Sequence, residues 1–236
     1  PAEIKTTLGV PDDVMFTLAM PLLDDLSKKE KPFFATFMTA SDHKPYYIPP
    51  YFKPENSDIS KQIVEYADYS LRSFITAASK KDWFENTLFV FVADHGAALS
   101  AHFEIPLSYH HIPLLFYAQG FIDQPAVFDN MAGQIDVFPS IMGLLELPFE
   151  NYTLGVNLFE KQRPYIYFNA NDKYGVINRE WLLVVRDQNT GLYRYNDLDL
   201  TDYSKEYPDL VQEMKIYAES QMQAYQYVLQ NEIHSR

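Results

Sequence analysis

A chain of 236 residues is long enough to bury one sizeable α/β core, and 47% hydrophobic content with 18 Tyr and 17 Phe excludes a disordered composition. A formal net charge of −13 excludes an electrostatic footprint for nucleic acid, so an anionic ligand would have to be held locally, by a metal or a few His and Arg side chains. The absence of cysteine excludes disulfides, thiolate zinc sites and a Cys nucleophile.

In chain order, residues 11–29 read as a helix. Val14, Leu18, Leu22 and Leu23 form its apolar stripe and Asp12 or Asp13 can cap it. Phe33 to Thr39 reads as a short buried strand, followed by the polar turn Thr39-Ala40-Ser41-Asp42-His43-Lys44-Pro45 and a Pro- and Tyr-rich loop from Tyr46 to Pro54. Residues 58–80 give the clearest helix, with Asp58 as N-cap and Ile59, Ile63, Ala67, Leu71, Phe74, Ile75 and Ala78 at spacings of three and four. On its surface Asp68 and Arg72 are placed for an i,i+4 pair. Thr87 to Ala93 is the next strand, residues 97–111 look irregular, and Pro113 to Ala118 is a third strand. Residues 134–146 form a helix for which Asp136 is the simplest cap.

After about residue 160 the pattern changes to short strands: Tyr165 to Asn169, Tyr174 to Ile177, Trp181 to Arg186 and Leu192 to Tyr195. Asp187-Gln188-Asn189-Thr190-Gly191 is a hairpin turn signal, and a last helix covers roughly residues 204–230. Trp181 and the Tyr-rich hairpins read as core. The predicted fold is therefore α/β, a mostly parallel sheet sandwiched by helices, with a small antiparallel C-terminal annex. The α/β body covers about residues 1–160 and the annex about 161–236, within one domain.

The run Leu88-Phe89-Val90-Phe91-Val92-Ala93-Asp94-His95-Gly96 carries the chemistry. A hydrophobic strand ends in two adjacent metal-ligand types, at the strand edge where open α/β sheets bind ligands. Gly96 would permit a sharp bend that turns both side chains toward one ion. A carboxylate beside an imidazole suits Zn or Mn better than Mg or Ca. The bland alternative is an Asp turn with a backbone role only.

The segment Asn86 to Gly96 resembles the metal-binding strand of the alkaline phosphatase superfamily. Three further segments resemble its branch of sulfatases and lipoteichoic acid synthase-like phosphoglycerol transferases: Phe33 to Tyr46, Tyr66 to Leu71, and His111 to Ala118. Gln134-Ile135-Asp136-Val137-Phe138-Pro139-Ser140-Ile141-Met142 fits the same order, so the resemblance spans roughly residues 30–200. It implies that Asp94 and His95 hold a divalent metal, that His43 contacts the substrate phosphate, and that the substrate is a lipid head group or another anionic ester. His102 is spaced as a possible third imidazole ligand and His110 as a pocket residue, whereas His111 reads as packing and His234 as solvated.

Members of the superfamily transfer phosphoryl or sulfuryl groups through a covalent intermediate on a Thr or Ser hydroxyl, or on a formylglycine made from Cys. Nothing in residues 1–32 matches that nucleophile, and Thr6 and Thr7 stand in no strand-to-helix motif. The chain is thus expected to be the C-terminal part of a larger catalytic domain, inactive alone. Membrane helices are expected upstream, with the domain on the outer face of a bacterial cytoplasmic membrane. Within the chain no apolar run approaches the roughly 18 residues of a membrane span. The implied function is transfer of phosphoglycerol- or phosphoethanolamine-type head groups. Two alternatives stay open: sulfate-ester hydrolysis, and a non-catalytic carbohydrate- or protein-binding domain with a vestigial metal site. The His43 segment favours the transferase branch.

Overall fold

The computed structural model describes residues 9–29, 31–99 and 101–231, and Thr6, Thr7 and His234 lie outside them. In chain order the helices are α1 (Asp12–Ser27), α2 (Ile59–Ala78), α3 (Leu107–His110), α4 (Val137–Leu144) and α5 (Pro208–Gln230). The strands are β1 (Phe89–Val92), β2 (Leu114–Tyr117), β3 (Ile166–Ala170), β4 (Lys173–Ile177), β5 (Trp181–Arg186) and β6 (Asn189–Arg194). The chain divides into two compact units: residues up to Phe91 with Leu115–Pro125, and Val92–Leu114 with the residues from Ala126 onward.

The first unit is built on α1 and α2. Phe16, Leu23 and Phe74 form its buried core, and Phe16 stacks on Phe74 with ring centroids 4.7 Å apart. Asp58 caps α2 as its spacing predicts, its side chain accepting from the Ser60 backbone N–H. Asp24 ties the end of α1 to the turn after α2, accepting from Lys81 Nζ at 2.6 Å and Trp83 Nε1 at 2.9 Å. β1 and β2 pair in a two-stranded sheet. Asp68 and Arg72 form the expected exposed pair.

Three local expectations are corrected in this unit. Pro11, not an aspartate, occupies the N-cap of α1. Asp12 is buried and instead accepts the backbone N–H groups of Ala40 and Ser41, while Asp13 accepts the hydroxyls of Tyr51 and Tyr66. Phe33 to Thr39 forms no strand and joins no ladder among the described residues. Phe33 and Phe37 pack on the α1–α2 core while Phe34 and Met38 are 85% and 86% exposed, so the segment is buried on one side only. Its short apolar run is real, but a strand also needs a neighbour for its N–H and C=O groups.

The second unit holds the antiparallel annex, a sheet of order β3-β4-β5-β6. Two-residue turns join β3 to β4 and β5 to β6, with positive φ at Asn171 (55°) and Asp187 (51°), the backbone that tight hairpins select. β6 begins at Asn189, earlier than the turn signal suggests, because the hairpin closes in two residues. One face of the sheet packs Val176, Leu183, Val185 and Leu192 on Met214 and Ala218 of α5. The other face packs Leu182 and Val184 against Phe103 and Ile105. β5 is therefore buried on both faces from Trp181 to Val185. Trp181 lies in this core as predicted, with the Arg194 guanidinium 5.0 Å above its ring.

The predicted irregular stretch 97–111 contains the short helix α3. The helix predicted over 134–146 is a 3-10 turn, Gln134–Asp136, running into α4. Asp136 stands at the N-cap position of α4 as expected, but its side chain makes no capping bond to α4 and instead closes the preceding 3-10 turn on the Gly133 N–H. It is fully buried, accepting the N–H groups of Gly133 (2.9 Å) and Val156 (2.8 Å) and pairing with Arg163 (Nη2–Oδ1 2.6 Å). A buried carboxylate needs such partners to remain charged.

Candidate functional site

Asp94 and His95 follow the end of β1 by two and three residues, in the second compact unit. Both are exposed, and the turn presents them to solvent from a short fixed base. Asp94 Oδ1 accepts the His95 backbone N–H at 2.8 Å. His95 Nδ1 lies 2.9 Å from the carbonyl oxygen of Gly96. A carbonyl only accepts, so Nδ1 carries a proton, and in the neutral ring the lone pair lies on Nε2. Nε2 is 3.7 Å from Asp94 Oδ2, too far for a hydrogen bond. Two donors bound to one tetrahedral ion at about 2.1 Å would be about 3.4 Å apart, so the observed separation suits a shared cation.

The turn is anchored by main-chain atoms. Gly96 N donates to Tyr109 O at 2.8 Å. The role of Gly96 differs from the sharp bend expected of it, because it is not among the residues with positive φ. A Cβ at this position would stand 2.1 Å from Ser108 O, so glycine is required by close backbone approach.

A row of rings continues from the turn. Tyr109 stacks on His95 at 4.4 Å and meets His110 edge-on at 5.4 Å, and His110 stacks on Phe168 at 4.4 Å. Burial pushes the His110 imidazole below its ordinary range, which favours the neutral ring. His110 thus flanks the pair through Tyr109. Gln134 closes the other side, with Nε2 2.8 Å from both Ala93 O and Asp94 O.

His102 is not brought to the pair. Its Nε2 is engaged with Leu198 O at 2.6 Å, and among the described residues no group of three or more His, Cys, Asp or Glu could hold a metal. The fit is therefore that of half a coordination shell. His111 is exposed, and its backbone N–H bonds to Leu107 O at the end of α3. His43 stands in the first unit on the turn gripped by Asp12. Its Nδ1 faces Lys44 O at 2.7 Å, and the ring is exposed.

Sequence reasoning missed the Gln134 bridge. Gln134 is 40 residues from Asp94, and no local pattern signals that pairing. Among the described residues no helix is long and apolar enough to cross a membrane.

Comparison with known proteins places the chain in a family. The chain is 27% identical over 164 residues to the lipoteichoic acid synthase-like protein YvgJ of Bacillus subtilis, covering 60% of this chain and 26% of that protein. It is 26% identical over 178 residues to the lipoteichoic acid synthase of Staphylococcus saprophyticus, covering 65% of this chain and 26% of that protein. The chain thus spans about a quarter of these curated relatives. Its fold matches an alkaline phosphatase superfamily protein of Vibrio parahaemolyticus with TM-score 0.78 and 24% identity, over 94% of this chain and 57% of that one. It matches the lipoteichoic acid synthase LtaP of Listeria monocytogenes with TM-score 0.77 and 19% identity, over 97% and 62%. The α/β fold is that of the alkaline phosphatase superfamily, as expected. The family model described as Sulfatase matches residues 2–147, more than half of the sequence, and the chain belongs to the sulfatase family.

Proposed function

We propose that this chain is the metal-binding part of a phosphoryl-group transferase acting on phosphoglycerol- or phosphoethanolamine-type lipid head groups at the outer face of a bacterial cytoplasmic membrane. The observation that carries this reading is the Asp94–His95 pair, with Nε2 and Oδ2 3.7 Å apart and Nδ1 already engaged by Gly96. Asp94 and His95 hold a divalent ion, with Mn or Zn suited to one carboxylate and one imidazole. When bound, the ion lowers the pKa of a hydroxyl nucleophile and offsets charge on the transferred group. Asp94 contributes the negative charge that attracts the ion, and His95, its tautomer set by the Gly96 carbonyl, contributes a neutral nitrogen donor.

His43 contacts the phosphate region of the substrate, and His110, kept neutral, shapes the pocket beside His95. The nucleophile is a Thr outside these 236 residues, so the chain alone does not turn over substrate. The domain assignment follows: one sulfatase-like catalytic domain, with the antiparallel annex as its C-terminal part. Similarity to lipoteichoic acid synthases favours head-group transfer over sulfate-ester hydrolysis.

The test joins sequence and assay. Upstream sequence should carry a Thr in a strand-to-helix turn, and the longer protein should release glycerol phosphate from phosphatidylglycerol in a Mn-dependent reaction abolished by Asp94→Ala. An upstream Cys-x-Pro-x-Arg motif with preferential cleavage of sulfate esters overturns the transferase reading. Full activity in Asp94→Ala overturns the metal site.

A further inference from the structure

The side chains of Asp94 and His95 are exposed, and the backbone beneath them sets where each one starts. That backbone is held by Gln134. Its Nε2 donates to the carbonyl oxygens of Ala93 and Asp94, both at 2.8 Å. Two carbonyl acceptors fix the amide orientation, since only the NH2 end donates. The carbonyls belong to the two peptide groups that flank the Asp94 α-carbon. Peptide groups are planar, so holding both planes fixes φ and ψ of Asp94 and with them the direction of its Cα–Cβ bond.

The base of Gln134 is itself immobilised. It opens the 3-10 turn that ends at the fully buried Asp136. Asp136 closes that turn on Gly133 N, and Arg163 clamps it by Nε at 2.8 Å to both carboxylate oxygens. Arg163 Nη1 is held in turn by the Tyr217 hydroxyl at 3.1 Å. An exposed amide is thereby mounted on a rigid support and aimed at the strand end that carries the ligand pair.

We infer that Gln134 is a positioning residue for the Asp94–His95 metal pair: it touches neither ion nor substrate and acts by holding the two peptide planes around Asp94. The inference rests on reading Asp94 and His95 as metal ligands. Residues that orient ligands from behind typically govern about 10–100-fold in metal affinity. A cross-link that served stability alone would leave the affinity of the folded protein unchanged.

Mn2+ is titrated into the 236-residue chain and followed by its paramagnetic broadening of the His95 imidazole resonances. Three variants are compared: Gln134→Met, which keeps length but removes the donor, Gln134→Lys, which keeps a donor, and Asp94→Ala. Amide hydrogen exchange at His95 and Gly96 is read in the same proteins without metal. Gln134→Met should weaken Mn2+ binding by about tenfold or more, and Gln134→Lys by no more than about threefold. Exchange at His95 and Gly96 should accelerate by about tenfold in the Met variant and recover in the Lys variant. Wild-type Mn2+ affinity in Gln134→Met, alongside lost affinity in Asp94→Ala, overturns the positioning role and leaves the metal site standing. Wild-type affinity in Asp94→Ala overturns the metal reading, and the positioning inference falls with it. In that case the metal-free exchange still reports whether Gln134 holds the turn.

Discussion

The guanidinium of Arg163 meets the carboxylate of Asp136 across 27 residues of sequence, with Nη2 2.6 Å from Oδ1 and both side chains almost wholly withdrawn from water. Asp136 also accepts two backbone N–H groups, so the pair joins the 3-10 turn before α4, the loop at Val156 and, through Tyr217, α5. The opposed charges and bonds raise the Arg163 pKa against the pull of burial, which keeps the guanidinium charged.

Removing one partner of such a pair leaves a buried charge unanswered. Arg163→Met should cost about 3–5 kcal/mol in urea unfolding, as should Asp136→Ala. Replacing both partners together should cost much less than the sum of the single changes. A loss under about 1 kcal/mol in Arg163→Met would mean that water reaches Asp136 freely.

Gly96→Ala places a methyl group 2.1 Å from Ser108 O, a backbone atom with little freedom to retreat. The expected cost is about 1–3 kcal/mol in thermal unfolding, with loss of Mn2+ binding as the turn is pushed off Tyr109 O. A variant that binds Mn2+ like the wild type would show that the turn adapts.

His102 is engaged by Leu198 O rather than by the candidate ligands. His102→Ala should therefore leave Mn2+ affinity within about twofold while lowering stability by about 1 kcal/mol through the lost hydrogen bond. A tenfold fall in affinity, a change of about 1.4 kcal/mol, would restore it as a third ligand.

Burial holds His110 neutral below the ordinary imidazole value of 6.5. Between that lowered value and 6.5 the unfolded chain binds more protons than the folded chain. The contribution of His110 to stability is present above 6.5 and is lost as pH falls toward the folded value. His110→Phe keeps a ring against Phe168 and removes the titration. Urea midpoints from about pH 5 to pH 8 should show a shallower acid-side fall in the variant. Identical slopes would mean that the ring is as open to water in the folded chain as in the unfolded one.

Elements dictated by local pattern were legible in the sequence. The i, i+3, i+4 recurrence from Ile59 to Ala78 and the Asp58 cap place α2, and the alternating hairpins place β3 to β6. The Asp94–His95 pair stood out by residue type and by the resemblance of its strand to a metal-binding strand, since the dipeptide alone is equally an ordinary turn. Residues whose partners lie far along the chain were not legible. Asp136 has the residue type and position of a cap, and only Arg163 reveals it as half of a buried ion pair. Phe33 to Thr39 has a strand's short apolar run, which says nothing about whether a neighbouring strand is present. His102 sits at a spacing compatible with ligation, yet Leu198 O competes for its ring and lies 96 residues away.

The anchor between Gly96 N and Tyr109 O joins one main chain to another, while the stack of Tyr109 on His95 depends on a side chain. The two can vary separately. Replacing Tyr109 by Leu removes the ring under the imidazole but leaves the turn pinned, whereas position 96 admits glycine alone. Position 109 is therefore a place where the polarity and depth of the site can drift between descendants of this chain without loss of the fold that presents its ligands.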